Sequence, residues 1–314
     1  MKRNAAPAPA PMAHAEEEGG HSAGDRYLVV GNPIGHSRSP EIHARFAVQT
    51  GQSISYERLL VPVEPPRAFD DAVGAFIAAG GRGLNVTLPF KERAFALATR
   101  HTPRALLAGA VNTLSAGPGG LHGDNTDGPG LVTDLQERVG VDLGGRTVLL
   151  LGAGGAARGV VMSLLQAGIA ELIVANRTPA RALALAAHFN GATAVREAGL
   201  PQVHGLAQAA ARPAEVIINA TSSTTLGADL VLPPGLFAGC LLAYDCAYSA
   251  RPTPFMAQAS SGGAARTADG LGMLVEQAAE SFFIWRGVRP ATAEVYRMLR
   301  ESISGQAVEA ADHS

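Results

Sequence analysis

Lys91 is the side chain in this sequence best suited to moving a proton. The 314-residue chain carries 25 basic side chains, of which 23 are Arg, and its two lysines are Lys2 and Lys91. Arg stays charged at any working pH, whereas a Lys ammonium can exchange a proton as well as stabilise negative charge. Lys91 closes the run Asn85-Val86-Thr87-Leu88-Pro89-Phe90-Lys91. On an extended strand Asn85 and Thr87 share one face. Pro89 stops that strand and delivers Lys91 into the first turn of a helix. Downstream, Gly123-Asp124-Asn125-Thr126-Asp127-Gly128 gathers polar side chains with an acid near each end. Asp127 could cap the following helix, and Asn85 and Thr87 could satisfy loop backbone.

A second cluster suits phosphate. Thr147–Ala157 reads TVLLLGAGGAA, a strand, a glycine turn and the start of a helix. Its glycines fit G-x-G-x-x-A, a dinucleotide fingerprint in this strand-to-helix context. Gly152 makes the tight turn, Gly154 lets backbone approach a pyrophosphate, and Ala157 allows close packing of helix on strand. Ala153, Gly155 and Ala156 complete the turn, whose helix N-terminus offers free N–H groups to phosphate. The next strand ends in Asn176-Arg177-Thr178, with Arg181 one turn on. An NAD site places an acid near this point. Two guanidiniums instead suit a 2′-phosphate, so NADP(H) is the expected cofactor. His36 and His43 lack the ligand cluster of a metal site, and no metal is expected.

Short strands alternating with helices must position these groups. Tyr27–Gly31, Ser55–Val61 and Gly83–Leu88 read as strands, with helices over about 40–49 and 65–79 and another from Phe90. Val111–Leu114 and Leu121–His122 form shorter strands around Gly117–Gly120, and Asp127 opens a helical stretch toward Val139. The pattern resets at Arg146. Strands follow at 147–151, 172–175, 216–220 and 241–246, and helices after Gly152 and at 179–189, 271–286 and 292–303. Such alternation predicts a parallel α/β fold.

Composition narrows the classes. Hydrophobic residues make up 47% and charged residues 17%, and the net charge is −2. That charge gives no reason to expect a nucleic acid or an anionic membrane as partner. No apolar run is long enough to cross a bilayer. Cys240 and Cys246 lie too far apart along a strand to bridge, which suits a reducing, cytoplasmic setting. Residues 1–25 read as a disordered Ala/Pro/Glu/Gly tail; Pro7, Pro9 and Pro11 break any leader-like apolar segment.

The chain resembles the shikimate dehydrogenase family. The resemblance rests on Gly31–Pro40 (GNPIGHSRSP), Asn85–Lys91 (NVTLPFK), Ala108–Leu114 (AGAVNTL), Gly123–Gly128 (GDNTDG), Gly152–Ala157 (GAGGAA), Asn176–Thr178 (NRT), Asn219–Ser223 (NATSS) and Ala268–Gln277 (ADGLGMLVEQ). These occur in the family's order over residues from about 27 to 303. The resemblance implies an NADP(H)-dependent enzyme that interconverts 3-dehydroshikimate and shikimate. It implies a two-domain α/β fold: a substrate domain over 26–126, a Rossmann-like NADP-binding domain over 127–270, helices over 271–305 returning to the first domain, and a disordered tail over 306–314.

By that resemblance Lys91 and Asp127 are the catalytic pair. Ser37 and Ser39 bind the substrate carboxylate, although both could instead cap the helix after Pro40. Asn85, Thr87, Asn112, Gln277 and Tyr248 contact other substrate groups. Thr221, Cys246 and Gly270 line the cofactor site, with Gly270 near the nicotinamide. The resemblance leaves open a monomer or a homodimer, a quinate/shikimate dehydrogenase, and a relative that binds dehydroshikimate without turnover. Two departures stand out. Thr224-Thr225-Leu226-Gly227 stands where many relatives place Gly after the second Ser, and Cys246 stands where Met is common.

Overall fold

The computed structural model describes residues 24–190, 202–204, 213–221 and 230–312. These residues build two six-stranded sheets. The first contains β1 (Asp25–Gly31), β2 (Ile54–Leu60), β3 (Gly81–Val86), β4 (Arg100–His101), β5 (Thr113–Gly117) and β6 (Gly120–Asp124), ordered β2-β1-β3-β5-β6-β4. β1 runs parallel to β2 and β3, as the alternation predicts. β4 is parallel to β6, whereas β5 is antiparallel to both β3 and β6. Gly117 pairs with Gly120 across a tight turn, and so short a link can join only antiparallel strands.

Helices α1 (Ser39–Thr50), α2 (Ala68–Ala78), α3 (Lys91–Leu97) and α4 (Pro103–Ala108) accompany this sheet. Leu28, Val30, Leu84 and Val86 share one buried cluster with Phe69, Val73 and Phe90. Helix α5 (Asp127–Thr133) then passes into a π-helical turn, Asp134–Arg138.

The second sheet is wholly parallel. Its strands are β7 (Thr147–Leu151), β8 (Glu171–Ala175), β9 (Gln202–His204), β10 (Val216–Asn219), β11 (Leu242–Asp245) and β12 (Thr267–Asp269), ordered β12-β11-β10-β7-β8-β9. Strand order reverses between β7 and β10, so a crevice opens beyond their C-terminal ends. Helices α6 (Gly155–Gln166), α7 (Pro179–Asn190) and α8 (Pro254–Ser261) belong to this half. β7 explains its unbroken apolar run: Val148 and Leu150 pack into one core, Leu149 and Leu151 into another on the opposite face. A central parallel strand buried on both faces needs no polar alternation.

Two last helices return to the first half. Ile42 and Phe46 of α1 pack with Val275 and Phe282 of α9 (Leu271–Arg286) and with Val295 and Leu299 of α10 (Ala293–Asp312). α10 continues through Asp312, so 306–312 are helical where a disordered tail is expected, and 313–314 lie outside the described residues. The stretch from Gln306 to Asp312 contains no Pro or Gly and has three Ala among its seven residues, and Ala favours a helix most. The expected N-terminal tail yields its last residue, Asp25, to β1; residues before 24 lie outside the described ones.

Candidate active site

Lys91 is the first residue of α3 and Asp127 the first of α5. The chain returns from β3 and from β6 to bring these two helix starts together. Lys91 Nζ donates to Asp127 Oδ2 at 2.5 Å, with the side chains 15% and 7% exposed. Asn112 Nδ2 donates to Asp127 Oδ1 at 2.8 Å. Each carboxylate oxygen therefore has its own donor, and the carboxylate plane is fixed relative to the ammonium. Asp127 does not cap its helix by a side-chain bond; Thr126 holds the cap position. The other acid of the cluster, Asp124, is separate from this pair. It binds Arg104 through Nε at 2.6 Å and Nη2 at 2.8 Å.

Asn112 is itself locked in place. Its Oδ1 accepts from the Thr126 N–H at 2.8 Å and from Thr113 Oγ1 at 2.9 Å. Its Nδ2 also reaches Gln277 Oε1 at 3.4 Å, which brings α9 to the same spot. Asn85 is buried on β3, bonded to Tyr56 and Ser281. Thr87 departs from the expected placement. β3 ends at Val86, so Thr87 lies one residue beyond the strand, although its N–H still bonds Val30 O at 2.9 Å. Tyr56, Thr113, Thr126 and Ser281 complete this polar group. Sequence reasoning missed them because each is an unremarkable hydroxyl until strands and α9 converge.

Ser37 and Ser39 sit at the mouth of the same region. Their hydroxyls lie 3.2 Å apart, and Arg58 Nε donates to Ser37 O at 2.8 Å. Ser37 Oγ also accepts from the N–H of Ser39, the first residue of α1, at 3.3 Å, and the two lone pairs of each hydroxyl oxygen leave capacity for a ligand. Tyr248 stands nearby. Burial pushes its phenol above the ordinary value, with the Arg38 and Arg58 charges opposing.

The glycine turn reaches this pair from the second sheet. Gly152 has φ +116, a left-handed backbone that side chains resist. A Cβ on Gly155 would lie 3.2 Å from Lys91 Cβ, and one on Gly159 would lie 3.1 Å from Asp127 Oδ2. Helix α6 thus packs directly against Lys91 and Asp127, and only small residues permit it. Ala153 is buried, Ala156 is half-buried, and nothing lies within 4 Å of a Cβ on Gly154. Past β8, Asn176 Nδ2 donates to Thr178 O at 2.9 Å, and Arg177 and Arg181 are exposed.

Thr221 follows β10, where its Oγ1 donates to Asn219 Oδ1 at 2.7 Å. Cys246 follows β11 and packs under Gly270, where a Cβ would come within 2.1 Å of Cys246 O. Burial pushes the Cys246 thiol far up. The carboxylates of Asp245 and Asp127 add to this and Lys91 opposes it, so Cys246 lies in the field of the same pair. Both cysteines are free and flank β11 rather than lying on it. The Thr224–Gly227 departure falls outside the described residues. Among the described residues no cluster of metal-ligating side chains occurs, and no helix is long and apolar enough to cross a membrane.

Comparison with known proteins places this arrangement. Residues 29–114 match the shikimate dehydrogenase substrate-binding domain, 134–228 the shikimate/quinate 5-dehydrogenase model, and 270–300 the shikimate 5′-dehydrogenase C-terminal domain. A shikimate dehydrogenase (NADP(+)) of Aromatoleum aromaticum is 54% identical over 90% of this chain and 99% of its own length. One from Alkalilimnicola ehrlichii is 53% identical over 88% of this chain and 98% of its own. Among solved structures, the Thermus thermophilus shikimate 5-dehydrogenase in complex with NADP(H) and shikimate superposes with a TM-score of 0.75. It is 36% identical and covers 88% of this chain and 99% of its own. An Ael1 enzyme from Pseudomonas putida gives 0.78 at 42% identity, over 88% of this chain and 98% of its own. The matched segments take in strands of both sheets and the returning helices, and the relatives extend over almost the whole chain: it belongs to the shikimate dehydrogenase family.

Proposed function

We propose that this chain catalyses the reversible, NADPH-dependent reduction of 3-dehydroshikimate to shikimate, a step toward chorismate and the aromatic amino acids. The observation that carries this reading is the Lys91–Asp127 pair, 2.5 Å apart, braced by Asn112 and pressed against the glycine turn at Gly155. Reduction of a ketone adds a hydride to carbon and a proton to oxygen. NADP(H) supplies or accepts the hydride when bound. Lys91 delivers or removes the proton at the oxygen and stabilises the charge developing there. Asp127 orients Lys91 and accepts from the neighbouring ring hydroxyl.

The remaining side chains divide the substrate between them. Ser37 and Ser39 hold the carboxylate by hydroxyl bonds, which bring no second buried charge. Asn85, Thr87, Asn112, Gln277 and Tyr248 meet the rest of the ring. In this reading the first sheet with α9 and α10 forms the substrate domain, and the second sheet the cofactor domain. The residues fit NADP(H). The turn Gly152–Ala156 leaves open space at Gly154, and exposed Arg177 and Arg181 beside Asn176 and Thr178 suit a 2′-phosphate. Thr221, Cys246 and Gly270 border the nicotinamide end. The enzyme works in the cytoplasm as a monomer or homodimer.

Steady-state kinetics on shikimate and quinate, each with NADP⁺ and NAD⁺, test the reading. Shikimate with NADP⁺ is expected to give the highest kcat/KM. A higher value for quinate with NAD⁺ replaces it with a quinate/shikimate dehydrogenase. Shikimate binding without turnover replaces it with a non-catalytic relative.

A further inference from the structure

We infer that Tyr56 is a positioning residue that locks the Asn85 amide in one orientation, so that Asn85 meets the substrate only as a hydrogen-bond acceptor. The inference rests on the proposed function for the identity of the substrate. Its structural basis is a count of hydrogen-bonding capacity.

A side-chain amide has two N–H donors and an oxygen with two lone pairs. Three acceptors surround Asn85 Nδ2: Ser281 Oγ at 3.0 Å, Thr113 Oγ1 at 3.2 Å and Asn112 O at 3.3 Å. Both donors are therefore committed inside the protein. On the other side, the Tyr56 hydroxyl donates to Asn85 Oδ1 at 2.6 Å. One lone pair of Oδ1 is all that Asn85 has left to offer. A hydroxyl of the substrate can fill it by donating, and a carbonyl oxygen cannot.

Tyr56 is built to stay a donor and to stay still. Burial pushes its phenol well above the ordinary value, so the proton remains, and the Ser39 hydroxyl lies beside it. Tyr56 thus spans from Ser39, at the start of α1, to Asn85. Its ring stacks flat on His43, with centroids 4.2 Å apart and planes 6° from parallel. His43 is fully buried, and neither ring nitrogen makes a hydrogen bond of good geometry, although the Asn85 amide lies beside the ring. Phe46, Phe282 and Trp285 surround the imidazole. A ring so enclosed gives Tyr56 a fixed surface to lie on.

The test is Tyr56→Phe, which keeps the stack and removes only the hydroxyl, measured by kinetics with NADP⁺ and by shikimate titration calorimetry. KM and Kd for shikimate are expected to rise roughly three- to tenfold, the worth of one hydrogen bond. KM for NADP⁺ stays put, and kcat changes far less than KM for shikimate. In an Asn85→Ala background, Tyr56→Phe adds no further rise, because its effect passes through Asn85. An unchanged KM for shikimate overturns the inference. So does an equal rise for both substrates, or a full additional rise in the Asn85→Ala background. Should Tyr56→Phe fail to fold, Asn85→Asp, which keeps acceptors and removes donors, is expected to bind shikimate more tightly than Asn85→Leu. The reverse order overturns the inference. An active wild type with an unaffected Tyr56→Phe sinks this inference alone. A wild type that neither binds nor oxidises shikimate sinks the proposed function with it.

Discussion

Acid should destabilise the substrate half through one residue, His43. Its imidazole is 0% exposed, and burial pulls its pKa from 6.5 down to about 3, with the neighbouring Asn85 amide opposing. As pH falls, the unfolded chain takes up a proton at this histidine long before the folded chain does. Stability from the neutral ring is therefore complete above the ordinary value of 6.5 and is lost progressively between there and about 3. Each pH unit inside that window costs about 1.4 kcal/mol. Moving from pH 7.5 to pH 5 thus costs about 2 kcal/mol through His43 alone. His43→Phe removes the titration while keeping a ring to stack on Tyr56, and it breaks no well-formed hydrogen bond. Trp285 is the single tryptophan and its ring lies 5.4 Å from His43, so its fluorescence reports on this cluster. Urea unfolding followed at Trp285 should show the wild type losing about 2 kcal/mol more than His43→Phe between the two pH values. Other groups that titrate in the window contribute to both proteins and cancel. Glu276, whose carboxyl burial pushes up, is present in both proteins. Parallel pH dependence in the two proteins would refute the reasoning.

Two further perturbations separate cofactor recognition from packing. Arg177→Ala combined with Arg181→Ala should raise KM for NADP⁺ by roughly ten- to a hundredfold, as loss of charge-assisted phosphate bonds implies, and leave KM for NAD⁺ nearly unchanged. Equal effects on both cofactors, read in the same spectrophotometric assay, would exclude a 2′-phosphate role. Gly270→Ala would drive a Cβ to 2.1 Å from the backbone oxygen of Cys246. It should lower stability by at least about 2 kcal/mol, in the range of overpacked sites, and a melting temperature equal to wild type would contradict that contact.

Much of the site could be read before the fold was known, for identifiable reasons. Lys91 stood out because Arg occupies almost every other basic position. Pro89 and the helix after it placed Lys91 at a helix start, where it lies. The Gly152 turn was legible because its context, an apolar strand and then a helix, is local. Long-range pairing was not. β4 has two residues and exists only through its pairing with β6. β12 has three residues beside β11, too few for any periodic signal. The antiparallel β5 follows from a turn whose sheet partners cannot be seen locally. Tyr56 shows the same limit within the site. It belongs to β2 and reaches past β1 to Asn85 on β3, so its partner depends on a sheet order that no stretch of sequence states.

The central claim is that Lys91, held by Asp127, carries the proton and charge chemistry of a reaction on shikimate. The most direct test is kcat for shikimate oxidation with NADP⁺ in Lys91→Ala. A fall of roughly 10²–10⁴, with a much smaller change in KM, is the predicted result, matching the span of acid–base groups. Turnover close to wild type would remove Lys91 from the chemistry and contradict the account.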